Sequence, residues 1–231
     1  MVSVSVVLPT YNERENIAEA IQRISRSLGK SLREIIVVDD NSPDGTWRIA
    51  RGKPKVRVIR RVEERGLASA LGRGISEARG GIVVWLDCDL GIPPEEIPRL
   101  VDALDRADIA IGSRYAPGGA DRRHWLRALA STALNLFASM VLGWGVRDYT
   151  SGFAAVRREV FRAVPFPSGG FFGDYFIDFM YKAKSRFRIV EMGYAYTDRK
   201  GGTSKYKGDL FTLLRYGVRY GVKILRLRLG G

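Results

Sequence analysis

Two acids one residue apart, Asp87 and Asp89, follow the apolar run 82–86. Hard oxygen donors in that pattern suit a divalent cation such as Mg²⁺, held by one or two carboxylates and completed by substrate phosphates. A second acidic pair, Asp39 and Asp40, ends the apolar run 34–38. Two strands ending in acids read as a nucleotide-diphosphate site, with Asp39 and Asp40 toward base or ribose and Asp87 and Asp89 toward a metal on the diphosphate. Arg114, Arg122, Arg123, Arg199, Lys200, Lys205 and Lys207 cluster beside Gly118, Gly119, Gly201 and Gly202. As a group they read as a phosphate-binding set on loops. The single histidine, His124, argues against zinc or His-activated nucleophile chemistry. Cys88 reads as a small buried filler. Neither G-x-G-x-x-G after the first strand nor G-x-x-x-x-G-K-[ST] occurs, which argues against the dinucleotide and P-loop classes.

The elements that must carry these residues alternate. Residues 2–8 read as a strand that stops at Pro9, without the basic region of a signal peptide. Asn12 is placed to cap a helix over 14–28, where Ile17, Ile21, Ile24 and Leu28 recur at helical spacing, and Gly29 ends it. Strands over 34–38, 56–60, 82–86 and 109–112 alternate with helices beginning near Thr46, spanning 66–79, and opening at Pro93-Pro94-Glu95-Glu96. Such alternation predicts an α/β fold with a mostly parallel sheet covered by helices on both faces. Ligands then bind beyond the carboxyl ends of the strands, where both acid pairs lie.

Later elements read differently. Residues 128–144 form a weakly polar stretch, short for a bilayer span, that suits a core helix or one lying in a membrane interface. Residues 171–184 read as a helix carrying Asp174 and Asp178, and 189–196 as one strand. Over 209–229 a helix places Arg215, Arg219, Lys223 and Arg226 on one face, opposite Leu210, Leu213, Leu214, Val218, Ile224 and Leu225. With 231 residues, 45% of them hydrophobic, the chain is large enough for one catalytic domain, 1–207, plus this basic helix, 208–231. A net charge of +13 calls for an anionic partner. No zinc spacing or aromatic RNA-binding motif is present, so phosphate and lipid are expected in place of nucleic acid. One cysteine permits no internal disulfide, which fits a cytosolic face.

The motifs Leu8-Pro9-Thr10-Tyr11-Asn12-Glu13, Val37-Val38-Asp39-Asp40-Asn41-Ser42-Pro43-Asp44-Gly45-Thr46, Asp87-x-Asp89, Gly112-Ser113-Arg114-Tyr115 and Arg199-x-x-Gly202-x-Ser204-Lys205 occur in order, with a glycine-flanked helix at 66–74. This ordered set resembles the polyprenyl-phosphate branch of glycosyltransferase family 2, which includes the dolichyl-phosphate mannose synthases. The resemblance implies a GT-A fold and inverting transfer of a hexose from GDP-mannose, or from UDP-glucose, to a polyprenyl phosphate. It implies donor contacts from Pro9, Tyr11, Glu13 and Asp40, and Mg²⁺ or Mn²⁺ on Asp87 and Asp89. The acceptor phosphate would meet Arg114, Arg123, Arg199 and Lys205, with Arg114 and Arg199 taking part in catalysis beside the two acids. The long apolar helix and the basic helix would be membrane-interface helices, making the protein peripheral on the cytoplasmic face of an anionic membrane, with or without a membrane-anchoring partner protein. Two features depart from the family. Gly91 stands where relatives often carry a glutamine at the metal, and the sequence ends without the transmembrane helices that many relatives have. Alternatives are a family 2 enzyme with a non-lipid acceptor and a non-catalytic module binding nucleotide sugar or anionic lipid.

Overall fold

The computed structural model describes residues 2–170, 173–197 and 210–230, with side chains from 215 onward in the last segment. Its strands are β1 (Val4–Thr10), β2 (Leu32–Asp39), β3 (Val56–Arg60), β4 (Ile82–Trp85), β5 (Ile109–Ser113), β6 (Ala120–Asp121), β7 (Ala154–Arg157), β8 (Ile189–Gly193) and β9 (Ala195–Tyr196). The helices are α1 (Ile17–Leu28), α2 (Thr46–Ala50), α3 (Leu67–Glu77), α4 (Ile97–Ala103), α5 (Trp125–Leu142), α6 (Val160–Ala163), α7 (Asp174–Ala183) and α8 (Leu210–Leu229).

Among the described residues a seven-stranded sheet runs in the order β3-β2-β1-β4-β7-β5-β8. Every pairing is parallel except those of β7, which enters antiparallel between β4 and β5. Strand alternation divides the core into two layers. Val7, Ile36, Val83 and Trp85 face α3, α5, α7 and α8, whereas Val6, Ile35, Val84 and Leu86 face α1 and α4. Trp85 is completely enclosed, with the rings of Phe161, Phe166, Phe176 and Phe179 between 5.6 and 6.5 Å away. That aromatic nest anchors the strand that delivers Asp87.

Three elements differ from expectation. β1 runs on through Pro9, which pairs in register with Val38 on β2. β7 carries no periodic signal because Ala154, Ala155 and Val156 are buried on both faces of the sheet. The single strand expected over 189–196 breaks into β8 and β9. A Cβ at Gly193 would lie 2.2 Å from the Pro117 carbonyl oxygen and 2.5 Å from the Gly119 nitrogen, so the chain passes the 117–119 turn there. It then pairs with β6, setting Asp121 opposite Tyr196.

The face expected on α8 is corrected. Its core side is a narrow stripe of Ile224 and Leu227 with Tyr220 packed beside them, while Val218 and Leu225 are exposed. Lys223 instead turns inward and donates to Asp178 on α7 at 2.6 Å. α5 is not a core helix: Trp125, Leu129, Leu136 and Met140 are exposed. It is the described helix long and apolar enough to cross a membrane by composition, with 22% of that window buried.

Candidate active site

The carboxyl ends of β1, β2 and β4 open side by side. Each strand leaves through a loop with one non-glycine residue in the left-handed region: Asn12 (φ 56°), Asn41 (φ 56°) and Leu90 (φ 62°). Such conformations cost energy and cluster where backbone must be aimed. Asp39 is fully buried and accepts from Thr10 Oγ1 at 2.8 Å, Ser42 N at 2.8 Å and Ser42 Oγ at 2.7 Å. It therefore ties the end of β1 to the β2 loop. Asp40 accepts from the Arg61 guanidinium and from Gly66 N at 2.8 Å, fastening the loop before α3. Glu13 accepts from Asn16 Nδ2 at 2.9 Å, and its backbone N–H donates to Thr46 Oγ1 at 2.9 Å. Both acids of the Asp39-Asp40 pair thus have their carboxylates engaged in building the wall of the cleft. Tyr11 lies at its rim under the Arg65 guanidinium, 5.2 Å from the ring centroid.

Beyond β4, Cys88 is buried as expected, and the flanking Asp87 and Asp89 are half-buried. Asp89 Oδ1 accepts from Gly91 N at 3.0 Å, closing a tight turn about Leu90. Gly91, at the end of that turn, is tightly packed. A Cβ there would lie 2.8 Å from the Thr197 carbonyl oxygen, 2.9 Å from Tyr196 Cε2 and 3.2 Å from Asp89 Oδ1. The Gly91 carbonyl also accepts from Thr197 N at 3.1 Å. β9 therefore lies directly on the D-x-D turn, and the Tyr196 ring fills the volume of a side chain at 91. Two hard carboxylates at a strand end fit Mg²⁺ or Mn²⁺. Among the described residues no group of three His, Cys, Asp or Glu surrounds them, so substrate phosphates would have to complete the shell.

Across Tyr196 stands a ring of alternating charges. Arg114, at the end of β5 and 5% exposed, donates from Nε and Nη2 to Asp148 at 2.9 and 2.6 Å and from Nη2 to Thr150 Oγ1 at 2.7 Å. Its Nη1 lies 3.6 Å from Asp121, and Arg123 grips the same Asp121 at 2.8 and 2.5 Å. Burial pulls the Arg114 pKa down, but the Asp148 carboxylate outweighs it and the net shift is upward. Burial would likewise raise Asp121, yet Arg123 and Arg114 hold it below the ordinary carboxylate value. The Arg123 and Arg114 guanidinium carbons lie 5.0 and 5.8 Å from the Tyr196 ring centroid. Burial, then Asp89 and Asp87, raise the phenol's pKa. Tyr196 thus bridges the two acids and the arginine cluster.

Pro9, Tyr11, Glu13, Asp39, Asp40, Asp87 and Asp89 lie at or just beyond the carboxyl ends of β1, β2 and β4, Arg114 follows β5, and Arg123 follows β6. Arg199 and Lys205, with Lys200 and Lys207, lie outside the described residues. Sequence reasoning missed Asp121, Asp148 and Tyr196. Tyr196 lies 82 residues from Arg114 and reaches it through the β6–β9 pairing, and Asp148 reaches Arg114 through the insertion of β7 between β4 and β5. Asp174 and Asp178 are both buried, not solvated.

The model of glycosyl transferase family 2 matches residues 5–164, and the chain belongs to that family. It is 42% identical over 224 residues to a dolichol-phosphate mannosyltransferase of Pyrococcus furiosus, covering 94% of this chain and 63% of that one. The chain thus spans less than two thirds of that relative's length. It is 37% identical over 231 residues to a polyprenol monophosphomannose synthase of Mycolicibacterium smegmatis, covering 93% and 86% of the two chains. Among solved structures, glucosyl-3-phosphoglycerate synthase of Mycobacterium tuberculosis, crystallised with Mn²⁺, UDP and glucosyl-3-phosphoglycerate, superposes with a TM-score of 0.73 at 24% identity. That match covers 99% of this chain and 80% of the other, and establishes the GT-A fold.

Proposed function

We propose that this protein transfers a mannosyl group from GDP-mannose to a polyprenyl phosphate, with inversion, at the cytoplasmic surface of a membrane. The observation that carries the reading is the pairing, across Tyr196, of a two-carboxylate turn with an arginine cluster, in a chain whose relatives are named for polyprenyl-phosphate mannosyl transfer. Asp87 and Asp89 would hold Mg²⁺ or Mn²⁺, which when bound neutralises the negative charge that develops on the departing nucleoside diphosphate. Pro9, Tyr11 and Glu13 form the donor's rim, with Asp39 and Asp40 holding its backbone in place. Arg123, Arg199 and Lys205 receive the acceptor phosphate, and Arg114, clamped by Asp148, sets the inner edge of that pocket.

A phosphate acceptor is already anionic at neutral pH, so the nucleophile needs no base to remove a proton. The difficulty is bringing two anions together, and fixed guanidinium groups lower that cost in a partly desolvated cleft. This matches a site built of Arg, Asp and Tyr in which the lone His124 is an exposed residue ahead of α5. The membrane reading draws support from α5 and α8. Val218, Val222, Leu225 and Leu229 form an exposed apolar stripe on α8, next to exposed Arg215, Arg219 and Arg226. An apolar stripe flanked by cations is the pattern of a helix lying in a membrane interface.

The test is transfer of labelled sugar into a solvent-extractable polyprenyl phosphate, with GDP-mannose and UDP-glucose run in parallel, with and without chelator. Label from GDP-mannose that disappears on chelation and in folded Asp89→Asn is expected. Label from UDP-glucose alone would replace the donor. Full activity in Asp89→Asn would overturn the role of the acidic pair.

A further inference from the structure

A cleft of about 510 Å³ lies where α5, α7 and α8 end. α7 and α8 run the same way: Gly173 N meets Tyr220 Oη at the start of α7 and the middle of α8, Asp178 meets Lys223 further along, and Lys184 and Arg228 share the cleft where both helices end. The cleft shares no lining residue with the cluster of Arg114, Asp148, Asp121 and Arg123, although Lys184 donates to Tyr149 Oη at 3.1 Å and Tyr149 directly follows Asp148.

Leu142, Val164 and Tyr181 give it an apolar wall, and Lys184, Arg186 and Arg228 line it with positive charge; no carboxylate does. Lys184 is fixed in place. Its Nζ donates to the carbonyls of Leu142 at 2.5 Å and Gly143 at 2.9 Å and to Tyr149 Oη at 3.1 Å, capping α5. Burial, then Arg228, lowers its pKa. Arg186 gives one N–H to the Ala163 carbonyl at 3.2 Å, and neither it nor Arg228 has a carboxylate partner among the described residues. Lys182 also lines the cleft but is paired with Asp178 at 2.7 Å. The two arginines beside an apolar wall call for an anion with an apolar body. Trp144 and Leu229, close in sequence to the lining residues Leu142 and Arg228, are 72% and 84% exposed.

We propose that this cleft holds the phosphate headgroup of an anionic membrane phospholipid, pinning the far end of the α5–α8 pair to the bilayer. The proposal rests on the membrane reading above. It assigns one lipid contact a defined pocket, apart from diffuse attraction to the surface.

The experiment compares the wild-type chain, Arg186→Gln/Arg228→Gln, and Arg215→Gln/Arg226→Gln, which removes the same charge from the exposed stripe. Each is titrated calorimetrically with monomeric dihexanoyl phosphatidylglycerol and with inorganic phosphate. Each is also floated with phosphatidylcholine vesicles with and without phosphatidylglycerol. Wild type and the stripe variant should bind the short-chain lipid, and the cleft variant should lose it while keeping transfer to a detergent-dispersed acceptor. On anionic vesicles the cleft pair should weaken binding by about thirty-fold, the effect of two cations near an anionic surface. No short-chain binding by wild type, binding unchanged in the cleft variant, or inorganic phosphate binding as tightly as the lipid would each overturn the proposal. Short-chain lipid binding without vesicle binding would instead remove the membrane reading and leave the pocket as a site for soluble phosphodiesters.

Discussion

Replacing Gly91 by the glutamine common in relatives separates two explanations of this residue. If Gly91 is a lost metal ligand, Gly91→Gln should tighten metal binding and raise activity. If it is a packing requirement, the same change should harm both. The structure favours the second. The Cβ of any side chain falls 2.8 Å from a backbone oxygen, that of Thr197, which cannot rotate away. Relief requires β9 to lift, breaking the 3.1 Å bond from Thr197 N to Gly91 O and withdrawing Tyr196 from the acids. Forcing extra atoms into such a contact costs about 1–3 kcal/mol. For a domain this size that lowers the melting midpoint by roughly 2–12 °C. Gly91→Ala should show most of the loss, since the clash begins at Cβ, and Gly91→Gln at least as much. Thermal melts give the stability, and paramagnetic resonance of Mn²⁺ titrated onto the protein gives affinity without turnover. A Gly91→Gln protein that melts like wild type and binds Mn²⁺ more tightly would refute the packing argument.

Asp148→Ala should destabilise by about 3–5 kcal/mol, because Arg114 would keep its charge in a buried site with its main partner removed. Asp148→Leu combined with Arg114→Leu should be more stable than Asp148→Ala, as measured by chemical denaturation. Tyr196→Phe keeps the ring between Arg123 and Arg114 and should leave the acceptor KM within about two-fold, whereas Tyr196→Leu should raise it about three- to thirty-fold with little change in donor KM. Equal effects of the two substitutions would exclude the ring face as the positioning element. Asp121 and Asp178 titrate below their ordinary value of 3.8, because Arg123, Lys182 and Lys223 override the burial that alone would raise them. Their folded pKa values are depressed, so their stabilisation is complete above 3.8 and is lost as pH falls through the folded values. Melting midpoints followed into acid should fall there, and less steeply in Asp121→Asn/Asp178→Asn.

The alternation of β and α elements, the two acidic pairs and the order of the motifs were legible in the sequence because each is local. A strand buried on both faces writes itself as a continuous apolar run, and a residue at its end is positioned by that run alone. Periodicity of 3.6 likewise marked α1 and α8 as amphipathic. What periodicity does not carry is which neighbour covers which face. Val218 and Leu225 look like core residues of α8, yet α5 and α7 meet only a narrow stripe of that helix and leave them outside. The charge ring depends on the same kind of information. Asp148 looks like any loop acid until β7 inserts between β4 and β5 and carries it under Arg114. Gly91 reads as an absent ligand until β9, bent away from β8 at Gly193, arrives on top of it. Local sequence determined which residues end the strands, since backbone geometry is set within a few positions. The tertiary structure decided which charges meet and where a side chain has room, because contacts between distant segments depend on the packing of the whole sheet.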